Sequence, residues 1–341
     1  MTNPPSEQPA TPVAGDAASA PEDPALLSPS VLRGRLGVSE QQVMFDRIGG
    51  RIEAASFNHS GLTSIEPLRG ILLRILEMQG EQITDLSPLA SNRLETLILI
   101  DSAASDLSPF AGSPVQGLGL QKTPVLEISP VVSAALSQAQ FVDVPLNDLT
   151  PLKQARLTEL WIEKTNVRDI GFLKEQSLPK LHMIDSPIED ISPLAGKDFE
   201  ELDLSRTKVS DLTPLRGSRI GILWLRGAPV QDLSPLTQAE LTSLDVQDTP
   251  VEDLSALAGL SSLQRLNIAG SRVTDVTPIT GLPLTRLILT PANVTQGLES
   301  VRKMTTLTEL DVQFEPELHR TMSPVEFWEQ YDAGTLLQKS P

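Results

Sequence analysis

The chain holds 341 residues with 44 acidic and 27 basic side chains, a formal charge of −17 and a pI near 4.6. Such a polyanion repels phosphate backbones and anionic headgroups, which argues against nucleic-acid binding and against a role on a membrane surface. Its 40% apolar content suffices for a sizeable core; with no cysteine there are no disulfides, thiolate metal sites or thiol nucleophiles, and three histidines far apart in sequence make imidazole chemistry scarce.

In chain order, residues 1–27 come first, with six prolines, four acids and no Lys or Arg, and read as a disordered acidic tail. No stretch has the basic start and apolar run of about 7–15 residues that a secretory signal needs, nor the roughly 20 apolar residues of a membrane span, so membrane insertion is not expected. The chain as written reads as cytoplasmic; one trimmed of a leader and working outside the cytoplasm reads the same. Residues 28–51 look like an N-terminal cap. Ser28-Pro29, and Ser39 with Gln42 three residues on, are helix-start signals, and Ile48-Gly49-Gly50-Arg51 suits a tight hairpin turn.

From residue 52 to 312 one phrase recurs: Asp85-Leu-Ser-Pro-Leu89, Asp106-Leu-Ser-Pro-Phe110, Asp148-Leu-Thr-Pro-Leu152, Asp190-Ile-Ser-Pro-Leu194, Asp211-Leu-Thr-Pro-Leu215 and Asp232-Leu-Ser-Pro-Leu236, with degenerate copies between. The step is 21 residues up to Asp253 and 22 from there to Asp275. A fixed period of this size marks a solenoid. Upstream of each phrase stand apolar residues at offsets −12, −9 and −7, such as Phe199, Leu202 and Leu204 before Asp211, which read as a half-buried strand. The Asp-(Leu/Ile)-(Ser/Thr)-Pro-Leu phrase reads as a turn, with Ser or Thr as N-cap and Pro at the first helical position. Its return to the next strand is too short for anything beyond a 3₁₀ or single-turn helix. Thirteen strand phrases are counted, from Ile52 to Leu307.

This combination resembles the bacterial leucine-rich repeats of internalin type, L-x-x-L-x-L-x-x-N-x-I-x-D-I-x-P-L. The resemblance implies an α/β solenoid: a right-handed leucine-rich-repeat superhelix with one parallel concave β-sheet, a convex side of 3₁₀ and short helices, a helical and hairpin N-cap and a helical C-cap. Two departures stand out. Most units lack one residue before the strand, and the family's Asn is replaced by Ser60, Ser102, Thr123, Thr165, Ser186, Thr207, Thr249 and Ser271. Residues 313–341 read as the C-terminal cap and tail, with a helix opened by Ser323-Pro324, carrying Phe327, Trp328 and Tyr331 and stopped at Gly334. The phrase from Phe327 to Gly334 is similar to the ends of repeat segments attached to bacterial serine/threonine kinases, which implies a signalling context without kinase activity.

Offsets −10, −8 and −6 point out of the sheet and form the candidate site. They bring Trp161, His182, Asp203 and Trp224 into one row, with the indoles roughly 14 Å apart at about 4.8 Å per strand, and place Glu159, Lys180, Glu201 and Arg226 around them. Aromatics with a charged surround are the composition of an interface hot spot. A second strip, Ile75, Thr96, Ile98 and Ile100, is mostly apolar where solvent is expected. His182, Asp203 and Ser205 make a poor hydrolytic trio, because Ser205 sits in a flat strand without an evident oxyanion hole. Glu159, Glu163, Glu201 and Asp203 are read as solvated carboxylates rather than a cation site. The sequence therefore predicts a non-enzymatic module that binds a protein partner on its concave face, with no cofactor, no metal and no small-molecule substrate. The alternative is a scaffold or regulatory component of a kinase-linked signalling assembly that uses convex or edge surfaces.

Overall fold

The computed structural model describes residues 27–313 and 321–336; of the tail expected over 1–27, residues 1–26 lie outside the described residues, as do 314–320 and 337–341. The repeat becomes one 14-stranded sheet whose strands follow chain order. They are β1 (Val43–Ile48), β2 (Arg51–Asn58), β3 (Ile75–Gln79), β4 (Thr96–Ile100), β5 (Gly117–Gln121), β6 (Gln138–Val142), β7 (Glu159–Glu163), β8 (Lys180–Ile184), β9 (Phe199–Asp203), β10 (Ile220–Trp224), β11 (Ser243–Asp245), β12 (Arg265–Asn267), β13 (Arg286–Ile288) and β14 (Glu309–Asp311). All neighbours from β2 onward pair in parallel, so the thirteen strand phrases correspond to thirteen parallel strands.

Register follows from the leucines. Leu160 pairs with Leu181, Leu181 with Leu202 and Leu202 with Leu223, and each is fully buried. Sliding one coil by a single residue would turn this spine into solvent, because alternate residues of a strand face opposite sides. Full burial of one such leucine is worth about 1.5–3 kcal/mol, repeated in every coil.

The return legs are short 3₁₀ turns, such as Ser87–Leu89, Ser192–Leu194 and Thr213–Leu215. Capping differs in one respect from the sequence reading. The Ser or Thr is the first residue of the turn and not its N-cap, and its preceding Leu or Ile makes no side-chain cap. The repeated aspartate caps instead: Asp85, Asp106, Asp148, Asp211 and Asp275 accept the N–H of the residue two positions on at 2.8 Å, and Asp169, Asp190, Asp232 and Asp253 at 2.7 Å. The freed hydroxyls donate back to the same carboxylate, as Ser192 Oγ does to Asp190 at 2.9 Å. An Asx-type turn of this kind is favoured because a short carboxylate reaches its own backbone two residues ahead.

The hydroxyl row that replaces asparagine is buried throughout. Its members mostly bond within their own coil, as Thr207 Oγ1 to the Leu204 carbonyl at 2.7 Å and Ser271 Oγ to the Ile268 carbonyl at 2.6 Å. In the second coil this position holds Glu81, which is fully buried. Its carboxylate accepts the Ser60 N–H at 2.7 Å and the Ser60 hydroxyl at 2.6 Å, stapling the first repeat to the second. Just after the strands a further row, Asp101, Lys122, Asp143, Lys164, Asp185 and Arg206, adopts left-handed backbone with φ of 47–55°. Their N–H groups still bond the next coil, as Asp143 does to the Glu163 carbonyl at 2.9 Å, so the strained turn continues the ladder while re-aiming the chain inward. Acid and base alternate along the row, and the pair Asp185–Arg206 closes at 2.6 Å.

Both ends are covered. Helix α1 (Pro29–Leu36), capped by Ser28, lays Leu32 and Leu36 over the first coil. Hairpin β1–β2 turns through Gly49 and Gly50, both with positive φ, as a two-residue turn demands. The expected second helix at Ser39 does not propagate. Gln42 Oε1 accepts the Ser39 N–H at 3.0 Å and Val43 N–H bonds the Ser39 carbonyl, making a single turn, but Val43 then enters β1, where pairing with Phe57 takes over its backbone. At the other end a short helix, α2 (Leu298–Val301), precedes β14. Helix α3 (Pro324–Asp332) carries a complete capping box between Ser323 and Glu326 and buries Phe327 fully. Arg302 lies 4.4 Å over the Trp328 ring and binds Asp332 at 2.6 Å. Met322 accepts the Leu310 N–H, so part of the last strand's edge is satisfied by the chain itself.

Leu181→Ala should destabilise the protein by about 2–5 kcal/mol in chemical denaturation, the cost of a cavity in a close-packed spine. Bonds from backbone and hydroxyl donors hold the carboxyls of Asp85, Asp106, Asp148, Asp190, Asp211, Asp253 and Asp275 below their ordinary range. Their contribution is therefore complete above about pH 4 and is lost as pH falls through the depressed folded values. The midpoint of thermal unfolding should drop steeply below about pH 4, and Asp148→Asn, which keeps an acceptor without a titrating proton, should reduce that slope.

Candidate partner-binding site

Period 21 and parallel register bring side chains far apart in sequence to adjacent positions on the open face of the sheet. Trp161 pairs with His182, His182 with Asp203 and Asp203 with Trp224. The rings do not stand upright at strand spacing. Trp161 stacks on His182 with centroids 4.2 Å apart at 20°, and Trp224 reaches back across Asp203 to place its ring 5.9 Å from the same imidazole at 33°. The two indoles therefore approach more closely than the roughly 14 Å that strand spacing alone predicts. Aspartate is small enough to be leaned over, and stacking removes apolar ring surface from water.

This convergence makes a ridge with His182 at its base. Both indoles are half-buried, whereas only 4% of His182 is exposed. His182 Nε2 is 3.7 Å from Glu201 Oε2, and its Nδ1 has no hydrogen-bond partner. Burial holds the imidazole below its usual titration range, and the opposing fields of Asp203, Glu201 and Glu159 only partly offset that. The ring is thus neutral at pH 7 and serves as a spacer between the two indoles.

The charged residues around the ridge are held by one another. Lys180 binds Glu201 at 3.1 Å, which raises the lysine further above its ordinary range. Arg226 binds Asp245 at 2.9 Å, and Asn267 donates to the same carboxylate at 3.1 Å. Asp203 accepts the Ser205 N–H at 2.8 Å, so it terminates its own strand; burial pushes its carboxyl up. Asp245 and Asn267 do the same in later coils through the N–H groups of Gln247 and Ala269, which accounts for acids and amides in this column where strands are only three residues long. Trp161 Nε1 donates to Glu163 at 3.4 Å. Glu159, which makes no turn of the kind Asp203 makes, has no cation within 4 Å among the described residues, whereas Glu163, Glu201 and Asp245 each have one. His182 and Ser205 share no hydrogen bond, and no group of three or more His, Asp or Glu among the described residues is arranged to hold a metal ion.

Two troughs flank the ridge. On one side a cavity of about 560 Å³ spans β4 to β7, walled by Thr96 and Ile98, floored by Gly117 and Gly119, and closed by Glu159 and Trp161. On the other, about 270 Å³ lies between Trp224 and Ile288, with Asp245, Asn267, Arg265 and Arg286 along it. A third hollow of about 260 Å³ runs from Met44 to Ile100 beside the apolar strip. The troughs escaped the sequence reading because they arise from what strands β5 and β11 lack. Two glycines at alternate positions of one strand are the signal that marks the larger.

His182 should titrate below about 6.5 in the NMR signal of its Cε1–H. Because its folded value is the lower one, the stack contributes fully above that pH and weakens as pH falls towards the folded value. His182→Phe should keep the stack and remove this pH dependence.

No protein-family model matches the chain, and no curated protein matches it in sequence. Similar solved structures exist. The internalin InlF of Listeria monocytogenes aligns with a TM-score of 0.65 at 23% identity, over 83% of this chain and 87% of that one. The functional domain of InlJ from the same organism aligns at 0.51 and 19%, over 76% and 67%. The PEPR1–AtPEP1 structure aligns at 0.50 and 14%, over 80% of this chain and 50% of that chain. At these identities the likeness carries the architecture and nothing finer, and together with the stacked parallel strands and their 3₁₀ returns it makes this protein a leucine-rich-repeat solenoid of internalin-like build.

Proposed function

We propose that the protein is a non-enzymatic interaction module whose open sheet face docks a protein partner across the Trp161–His182–Trp224 ridge. The observation that carries this reading is the ridge itself: two half-buried indoles, pre-stacked on a buried neutral histidine, project from a sheet face hollowed on either side. Aromatic anchors whose rotamers are already fixed lose little entropy on binding, which is why Trp dominates interface hot spots. The surrounding ion pairs, Lys180–Glu201 and Arg226–Asp245, give the ridge the polar rim of such an interface. The internalins and the PEPR1–AtPEP1 complex share the architecture, which supports a binding role in kind while leaving the partner's identity to chemistry.

The chemistry against catalysis is equally specific. His182 is buried under the indoles and faces Glu201, and the carboxylate nearest Ser205, Asp203, is committed to the turn that it forms with Ser205 itself. An acid–base or nucleophilic mechanism needs an oriented base beside its substrate, and this imidazole has no open approach.

Trp161→Ala combined with Trp224→Ala should weaken partner binding at least about 30-fold, the effect of losing one strong hot spot. Thermal unfolding should shift far less than for Leu181→Ala. Pull-down and calorimetry with the wild type beside the double variant provide the measurement. A stability loss matching that of the leucine variant would assign the indoles to packing, and undiminished binding would move the docking surface elsewhere.

A further inference from the structure

We infer that the trough over β5 and β6 receives a basic side chain, arginine or lysine, from an extended segment of the protein partner, and that the smaller trough beyond Trp224 takes an acidic one from the same segment. This rests on the sheet face being the docking surface and adds the chemistry of what docks there.

Three observations converge on the first trough. Its floor is glycine by choice and not by backbone need. Gly117 and Gly119 lie in ordinary extended conformation. A Cβ at Gly119 would meet Ile98 no closer than 3.5 Å, and one at Gly117 would meet Thr96 no closer than 3.9 Å. Glycine within a strand costs roughly 0.5–1 kcal/mol relative to alanine, so two tolerable side chains are missing where their presence would stabilise the sheet. What their absence creates is depth. Secondly, Trp161 has one ring face covered by His182 and borders the trough on the other side, where no residue of β8 contributes. An indole face beside an open cavity is the preferred seat of a cation. Thirdly, Glu159 lines the same trough with no cation within 4 Å among the described residues, because Lys180, its register neighbour on β8, is held by Glu201 at 3.1 Å. A half-buried carboxylate, an aromatic face and an aliphatic wall at Ile98 match a guanidinium or ammonium on its methylene stem.

In the second trough the charge left without an ion pair has the opposite sign. Arg265 is exposed and makes no ion pair within 4 Å among the described residues, whereas Arg286 beside it is held by Glu309 and Asp245 by Arg226; it lies between the apolar edges of Trp224 and Ile288. The trough centres are about six strands apart. At about 4.8 Å per strand that is roughly 29 Å, which an extended chain covers in about eight or nine residues. The bound segment therefore carries a basic and an acidic side chain at that separation and crosses the aromatic ridge between them.

The test is selection of displayed random dodecamer peptides on the whole protein, wild type beside Glu159→Lys, Arg265→Glu and Gly119→Val. Wild type should enrich peptides with a basic residue eight or nine positions from an acidic one. Glu159→Lys should weaken the selected peptides at least about tenfold, the worth of one charge-assisted contact, and should itself select an acidic residue at that position. Arg265→Glu should remove the preference for the acid. Gly119→Val should abolish binding with an unfolding midpoint equal to or above that of the wild type, because valine suits a strand and fills the trough. Recovery of no binders, absence of a basic preference, a preference that survives Glu159→Lys or one for the acid that survives Arg265→Glu, or binding unaffected by Gly119→Val would each overturn the inference. Binders without charge preference that are still lost in the Trp161→Ala, Trp224→Ala variant would leave the docking face standing and remove only this chemistry; binders indifferent to all these variants would remove both.

Discussion

Every property of this protein depends on coils being stacked in register by parallel backbone bonding over a continuous leucine spine. A single coil of about 21 residues cannot bury its own apolar face, so each strand needs the next for hydrogen bonds and for cover. The spine fixes which residues point inward, and this in turn forces every second residue of a strand to point out. A side chain on the open face is thereby placed about 4.8 Å from its counterpart one repeat away, whatever the intervening sequence. Those columns are the part of each coil that stacking leaves free.

That constraint explains why the same residue type does different work at different repeat positions. The phrase aspartates cap 3₁₀ turns; aspartates on the outward column at 203 and 245 end their own strands; those in the row from Asp101 to Asp185 sit in left-handed backbone opposite basic neighbours. Only the position within the coil separates these roles. It also accounts for the large negative charge, since much of it lies in short carboxylates needed at turns, where they accept N–H groups that a sheet cannot satisfy. A buried carboxylate at Glu81 is the departure: it occupies a hydroxyl position and offers two oxygens where Ser or Thr offers one.

The open face is uneven for a reason that also follows from stacking. Large side chains on neighbouring columns lean on one another, as the indoles do on His182, while glycine or short side chains on adjacent strands leave hollows. A ridge between two hollows of different size and lining gives a face with a direction. Stacking fixes the rotamers of the ridge, and the ion pairs beside it, Lys180–Glu201 and Arg226–Asp245, hold long side chains in one orientation.

Much of this was legible in the sequence. The period gave thirteen strands, the Asp-Leu-Ser-Pro-Leu phrases gave the turns, Gly49-Gly50 gave the hairpin, and column arithmetic put Trp161, His182, Asp203 and Trp224 on one face, because regular stacking makes spatial order a linear function of residue number. What only the tertiary structure decided lies in directions that the period does not encode. These are the lean of Trp224 across a small aspartate, the burial of His182 beneath both rings, the choice of Lys180 to bond Glu201 and leave Glu159 open, and the depth above Gly117 and Gly119. Each is settled by side-chain packing between coils, where rotamers compete for the same space, and a repeat pattern fixes the neighbours without fixing which of them touch.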